Sequence, residues 1–133
     1  MKKVVLDTNV IVSAFLSPMG KPAALLLSVL LQELEIQYNT EIMVEYKQVL
    51  GRKKFSEKIK HTDAQVFLEY LRDFGANILV SRSTVAIPDE SDRKFYDAAK
   101  TANAILITGN KKHYPEESFI QDPAEFFSIW KSE

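Results

Sequence analysis

The chain has 133 residues, 46% of them hydrophobic and 26% charged, and carries a formal net charge of -1. That length suits one domain over residues 1–133, and the composition excludes wholesale disorder and low-complexity architecture. Balanced charge excludes a strongly cationic coat, and the lack of cysteine excludes disulfides, zinc–thiolate sites and cysteine nucleophiles.

In chain order, Val4–Leu6 reads as a short buried strand, followed at once by Asp7, Thr8 and Asn9, which suit a strand end and a helix cap. A helix over Val10–Leu16 stops at Ser17-Pro18-Met19-Gly20, and Pro22 opens a second helix running to about Gln32. Leu34–Tyr38 is a second strand. Asn39 or Thr40 then caps a helix that ends at Gly51. Arg52–Lys60 is basic and irregular, anchored by Phe55 and Ile59, and Thr62 or Asp63 opens a helix closed by Gly75. Ile78–Val80 is a third strand, 81–91 a polar loop and Asp92–Ala102 a helix. Ala104–Thr108 is a fourth strand, 109–115 a loop and Phe119–Ile120 a short fifth strand. Asp122-Pro123 starts a final helix whose Phe126, Phe127 and Trp130 belong to the core.

Apolar strands separated by helical segments imply parallel pairing with helices on both faces. The expected fold is a three-layer α/β/α sandwich around a mainly parallel sheet of four or five strands. The apolar runs fall far short of the roughly 20 residues of a membrane span. The N-terminal run meets Asp7 after three apolar residues, too soon for a secretory signal. The expectation is a soluble cytoplasmic domain with no membrane association.

An open parallel sheet binds ligands beyond the C-terminal ends of its strands. Asp7 falls there, as does Asn110 after the fourth strand, with Gly109 allowing a tight turn. Asp89, Glu90 and Asp92 lie where a loop enters a helix, and Glu41 and Glu45 share one face of the helix after the second strand. Helix capping and the helix dipole account equally well for Glu41, Asp92 and Asp122. Asp7 is different, because a carboxylate at a buried strand end is costly unless paired, capping or bound to a cation.

These residues form a pattern. Val4-Val5-Leu6-Asp7-Thr8-Asn9-Val10-Ile11-Val12-Ser13-Ala14 resembles the opening motif of PIN-domain ribonucleases. The segments containing Glu45-Tyr46, Asp89-Glu90-Ser91-Asp92 through Ala99, and Ile105-Leu106-Ile107-Thr108-Gly109-Asn110 resemble the family's three later elements. The resemblance covers most of the chain and is closest to toxin components of prokaryotic toxin–antitoxin pairs. It implies the PIN-like α/β/α fold and carries the family's acids onto Asp7, Glu45 and Asp92, with Asp97 as a further acid. Asn110 stands where the family commonly has aspartate, which keeps an oxygen ligand and loses a charge.

The resemblance implies a metal-dependent endoribonuclease. Asp7, Glu45, Asp92 and Asp97 would form its acidic pocket, and Asp7, Asp92, Asp97 and Asn110 would face Mg²⁺ or Mn²⁺. Thr8, Asn9, Thr108 and Lys111 would lie toward the RNA. It also implies a cognate antitoxin and a homodimer. Hard, oxygen-rich sites hold such cations and use them to polarise phosphate and water. Clustered carboxylates without a cation repel, so at least one pKa should rise. Basic stretches at 52–61 and 111–113 read as a phosphate-contacting rim or a solvated face, Tyr114 and Phe55 as base-stacking residues or loop anchors, and His61 and His113 as surface residues. Two other readings stay open: a PIN fold that binds RNA or protein without cleaving, and a phosphatase with a strand-end aspartate.

Overall fold

The structure, a computed structural model, describes residues 1–133. Five parallel strands form one sheet in the order β3-β2-β1-β4-β5: β1 (Lys3–Leu6), β2 (Glu35–Tyr38), β3 (Ala76–Asn77), β4 (Ile105–Ile107) and β5 (Ile120–Gln121). Between and after them run α1 (Thr8–Leu16), α2 (Lys21–Leu30), α3 (Thr40–Leu50), α4 (Lys53–Ser56), α5 (His61–Phe74), α6 (Arg93–Ala102) and α7 (Pro123–Lys131). The expected PIN-like α/β/α architecture is present, and the sheet is wholly parallel.

Central β1 explains the apolar strand pattern. Val4, Val5 and Leu6 are all buried, because helices cover both faces of the sheet. Val4 pairs with Ile36 of β2 on one side and Ile105 of β4 on the other. Tyr46 ties α3 to this centre. Its ring sits 5.7 Å from Phe67 of α5 and 6.4 Å from Phe95 of α6, and its hydroxyl donates to the Leu6 carbonyl across 2.5 Å. That bond brings the preceding residue, Glu45, beside the end of β1.

The helix signals are visible as contacts. Asn39 caps α3 by accepting from Ile42 N at 3.0 Å, and Asp122 and Glu125 form a reciprocal capping box at the start of α7. Asn103 closes α6 in the left-handed conformation, at φ 54°. Phe126 is buried and packs 5.6 Å from the Trp130 ring. No single helix is long and apolar enough to cross a bilayer, and α1 and α2 meet at 103°.

Three expectations need correction. The third strand is Ala76–Asn77, not Ile78–Val80. Its partner β2 ends at Tyr38, whose carbonyl takes one last bond from Ile78 N at 2.9 Å before Asn39 turns away to cap α3. With no ladder left, the chain runs on as an extended strap over 78–89, and Leu79 is 95% exposed. Second, the basic stretch 52–60 contains one helical turn, α4, with Ile59 buried behind it. Third, β5 sits one residue later than expected, at Ile120–Gln121.

Candidate active site

The strand ends gather Asp7, Glu45 and Asp92. Asp7 leaves β1, and its backbone N–H still bonds the Ile107 carbonyl of β4 at 3.0 Å, so the carboxyl group is fixed between the two central strands. It is buried, and its two oxygens have different surroundings. Oδ2 accepts from Tyr114 Oη at 2.7 Å and from Thr108 Oγ1 at 3.0 Å. Oδ1 has a long 3.4 Å contact from Asn9 N, as the cap of α1. Burial raises the Asp7 pKa, the Tyr114 and Thr108 hydrogen bonds pull it back, and the Glu45 charge raises it further. The same burial, together with the Asp7 charge, raises Tyr114, so its phenol remains a donor.

Glu45 reaches the site from the face of α3 that Tyr46 presses against β1. Its Oε2 accepts from Thr8 Oγ1, and its Oε1 pairs with Lys94 Nζ at 2.8 Å. Asp92 stands at the entry to α6, at the end of a 3-10 turn over Glu90–Asp92. Its Oδ2 is buried with no hydrogen-bond partner, and His113 Nδ1 lies 3.7 Å away. Burial, followed by the Asp7 and Asp89 charges, raises the Asp92 pKa to about 6. The rise expected of clustered carboxylates therefore falls chiefly on the one with no donor.

Asp97 does not join them. It is buried on α6 facing the strap, where Oδ2 accepts from Ser83 N at 3.1 Å and Oδ1 is left without a partner. Arg93, one turn earlier, donates to the Ser83 and Val85 carbonyls at 3.0 and 2.7 Å and to Glu90 at 2.6 Å. Together Arg93 and Asp97 clamp the strap onto α6. The recorded bonds of Asp97 thus run to the strap rather than to Asp7, Glu45 or Asp92, although it lines the same cleft as Lys94.

Of the expected RNA-facing residues, Asn9 and Lys111 are exposed, and all four side chains already have partners within the protein. Thr8 and Thr108 are buried, donating to Glu45 and Asp7. Asn9 Oδ1 accepts from Gly109 N at 3.0 Å, and Lys111 pairs with Glu125 of α7 at 3.0 Å. Asn110 sets its amide nitrogen 3.0 Å from His113 Nε2. The sequence reading assigned Lys94 no role, took His113 for a surface residue, and took Tyr114 for a base-stacking residue or loop anchor. It thus missed the contacts all three make with the acids. Two of these follow Asn110 within the same short loop, and Lys94 follows Asp92 by two. Proximity to a strand-end motif was their only sequence signal.

No three Asp, Glu or His side chains stand ready-arranged as a cation site. The donor chemistry nevertheless fits a hard divalent ion. Asp92 Oδ2 is a buried carboxylate oxygen with no partner, and Asp7 Oδ1 holds only a weak contact. Two clefts are lined by sequence neighbours of the acids, though by none of Asp7, Glu45 and Asp92 themselves. One of about 340 Å³ is lined by the cations Arg82, Arg93 and Lys94 and by the acids Glu41, Glu90 and Asp97. The other, about 280 Å³, is lined by Asn9, Ser13, Pro22, Asn110 and Pro123. A groove of about 350 Å³ between α3 and α5 shares no residue with the cluster.

Comparison with known proteins agrees with this geometry. A family model described as PIN domain matches residues 3–112. An uncharacterized protein of Methanocaldococcus jannaschii is 31% identical over 114 residues, which cover 82% of this chain and 71% of that one. In fold, the chain resembles one in the crystal structure of VapBC2 from Rickettsia felis bound to a DNA fragment from their promoter. The TM-score is 0.56 at 19% identity, over 90% of this chain and 97% of the other. The chain belongs to the PIN-domain family, whose members are in general nucleases.

Proposed function

We propose that the protein is a divalent-cation-dependent endoribonuclease, with Asp7 and Asp92 holding Mg²⁺ or Mn²⁺ and Glu45 completing the acidic pocket. One observation carries the reading: a buried, unpartnered Asp92 Oδ2 close enough to Asp7 and Glu45 for both to raise its pKa. Such an arrangement costs stability unless something positive arrives. A bound Mg²⁺ or Mn²⁺ supplies that charge, neutralises phosphate oxygens and acidifies water near pH 7. Tyr114 and Thr108 hold Asp7 Oδ2, which leaves Oδ1 with only the long Asn9 contact. Thr8 orients Glu45 in the same way. Asn110 stands outside the ligand set in this reading, because its amide engages His113.

The test is cleavage of a single-stranded RNA by the purified chain, with Mn²⁺ and with chelator, beside Asp7→Asn. Cleavage that requires Mn²⁺ and disappears in Asp7→Asn supports the reading. Equal activity in the two proteins would sink it, and binding of RNA without cleavage at any Mn²⁺ concentration would favour a non-catalytic module.

The cellular role proposed with it is the toxin of a toxin–antitoxin pair, acting in the cytoplasm as a homodimer and masked by a small antitoxin. The Rickettsia felis likeness supports this role, since that structure is of VapBC2 on DNA from its promoter. Growth arrest on expression, relieved by a neighbouring small gene, is the expected outcome. Size-exclusion chromatography with light scattering tests the dimer.

A further inference from the structure

We propose that Lys94 contacts the phosphate undergoing cleavage and balances its charge, so that the site works with carboxylates on one side and an ammonium on the other. The inference rests on the nuclease reading above.

The argument begins with what Lys94 touches. Its Nζ lies 2.8 Å from Glu45 Oε1 and also donates to the Ser91 carbonyl. An ammonium has three N–H donors, so one remains open. The side chain is 13% exposed and lines the 340 Å³ cleft, so the head that pairs with Glu45 also borders space a ligand can enter. The other cations of that cleft are differently placed. Arg93 directs its guanidinium into Ser83, Val85 and Glu90, and Arg82 stands in solvent against Glu90. Lys94 alone is tied to the acid cluster and keeps a donor free.

Held at two points, the ammonium is a pre-positioned charge of the kind that stabilises phosphoryl transfer. A second consequence concerns Glu45. Thr8 engages one of its oxygens and Lys94 the other, so its principal task is to hold Lys94 in place. In the reaction, a water oxygen bonds to phosphorus and gives a proton to solvent. The bond from phosphorus to the departing ribose oxygen breaks, and that oxygen takes up a proton. Lys94 keeps its own proton throughout and faces a non-bridging oxygen, where negative charge builds.

The experiment compares the wild-type chain with Lys94→Met and Lys94→Arg on a single-stranded RNA. It reads kcat and KM at saturating Mn²⁺, and Mn²⁺ affinity without RNA by calorimetry. Lys94→Met is expected to lower kcat by about 100-fold, the usual scale for losing one pre-positioned charge donor. Its Mn²⁺ affinity should be unchanged or tighter, since Glu45 is released, and Lys94→Arg should recover part of kcat. A kcat within about threefold of wild type, or a loss explained wholly by weaker Mn²⁺ binding, would overturn the proposal. Melting curves check the fold, and Lys94→Gln replaces the Met variant if that one melts early. A wild-type chain with no Mn²⁺-dependent cleavage brings down the nuclease reading and this inference with it. Active wild type beside a fully active Lys94→Met brings down this inference alone.

Discussion

Tyr114 donates its phenolic hydrogen to Asp7 Oδ2 across 2.7 Å, joining the loop after β4 to the end of β1. With Thr108 on the same oxygen, it sets which edge of the carboxylate stays open. Tyr114→Phe should therefore destabilise the protein by about 1–3 kcal/mol, the range for leaving a buried partner unpaired. The bond lowers the Asp7 pKa, so its loss raises that pKa further. The cost should be small near pH 4 and grow toward pH 7, as the unpaired carboxylate is forced to ionise. Urea denaturation at the two pH values checks the sign, and a larger cost at the acid end would refute it.

Asp92 gives a second pH signature. A carboxyl raised in the folded state holds its proton more tightly than in the unfolded chain. Its stabilising effect is complete below the unfolded value of 3.8 and is lost as pH climbs through about 6. Thermal melts in chelator should fall over that window, flatten in Asp92→Asn, and recover at neutral pH when Mn²⁺ is added. An unchanged slope in Asp92→Asn would show that the burden lies elsewhere.

The clamp on the strap makes a third prediction. Asp97→Ala removes the acceptor for Ser83 N while leaving Asp7, Glu45 and Asp92 in place. Protease should cut within 78–89 faster than in wild type, and kcat should drop by less than about tenfold. A loss as deep as that of Asp7→Asn would return Asp97 to the acidic pocket.

Gly75→Ala is the stability control. A Cβ there would lie 2.5 Å from the Leu71 carbonyl and 3.0 Å from the Tyr38 ring, at the join of α5 and β3. The substitution should cost about 1–3 kcal/mol, as overpacking does, without altering Mn²⁺ affinity. Weakened Mn²⁺ binding in a folded Gly75→Ala protein would contradict the separation of site and join.

Much of this architecture could be read from residue order. Apolar Val4–Leu6 and Ile105–Ile107, each followed by a polar strand end, announce central parallel strands and the edge where acids collect. Asp7 and Asp92 follow from a strand end and a helix start, whereas Glu45, in the middle of α3, takes its place from the Tyr46 bond to β1. What resisted was directional. Asp97 lies on α6 and Asp92 just before it, yet Asp97 bonds the strap while Asp92 feels the charge of Asp7. Ile78–Val80 has strand composition, but Tyr38 had already ended the ladder that would have received it. Tyr114, His113 and Lys94 gain their places from contacts across distant parts of the chain, and no local spacing encodes those.

The pairing of β1 with β2 on one side and β4 on the other has a consequence for synthesis. As the chain leaves the ribosome, β1, β2 and β3 can associate early, while Asp7 still lacks Thr108, Tyr114 and Asp92. Only when β4 docks against β1 does the Ile107 carbonyl take the Asp7 N–H and the loop beyond it bring the phenol inward. Such long-range closure is a late event in folding. An incomplete nascent chain thus carries the opening motif and Glu45 without the Thr108 and Tyr114 hydrogen bonds that complete Asp7.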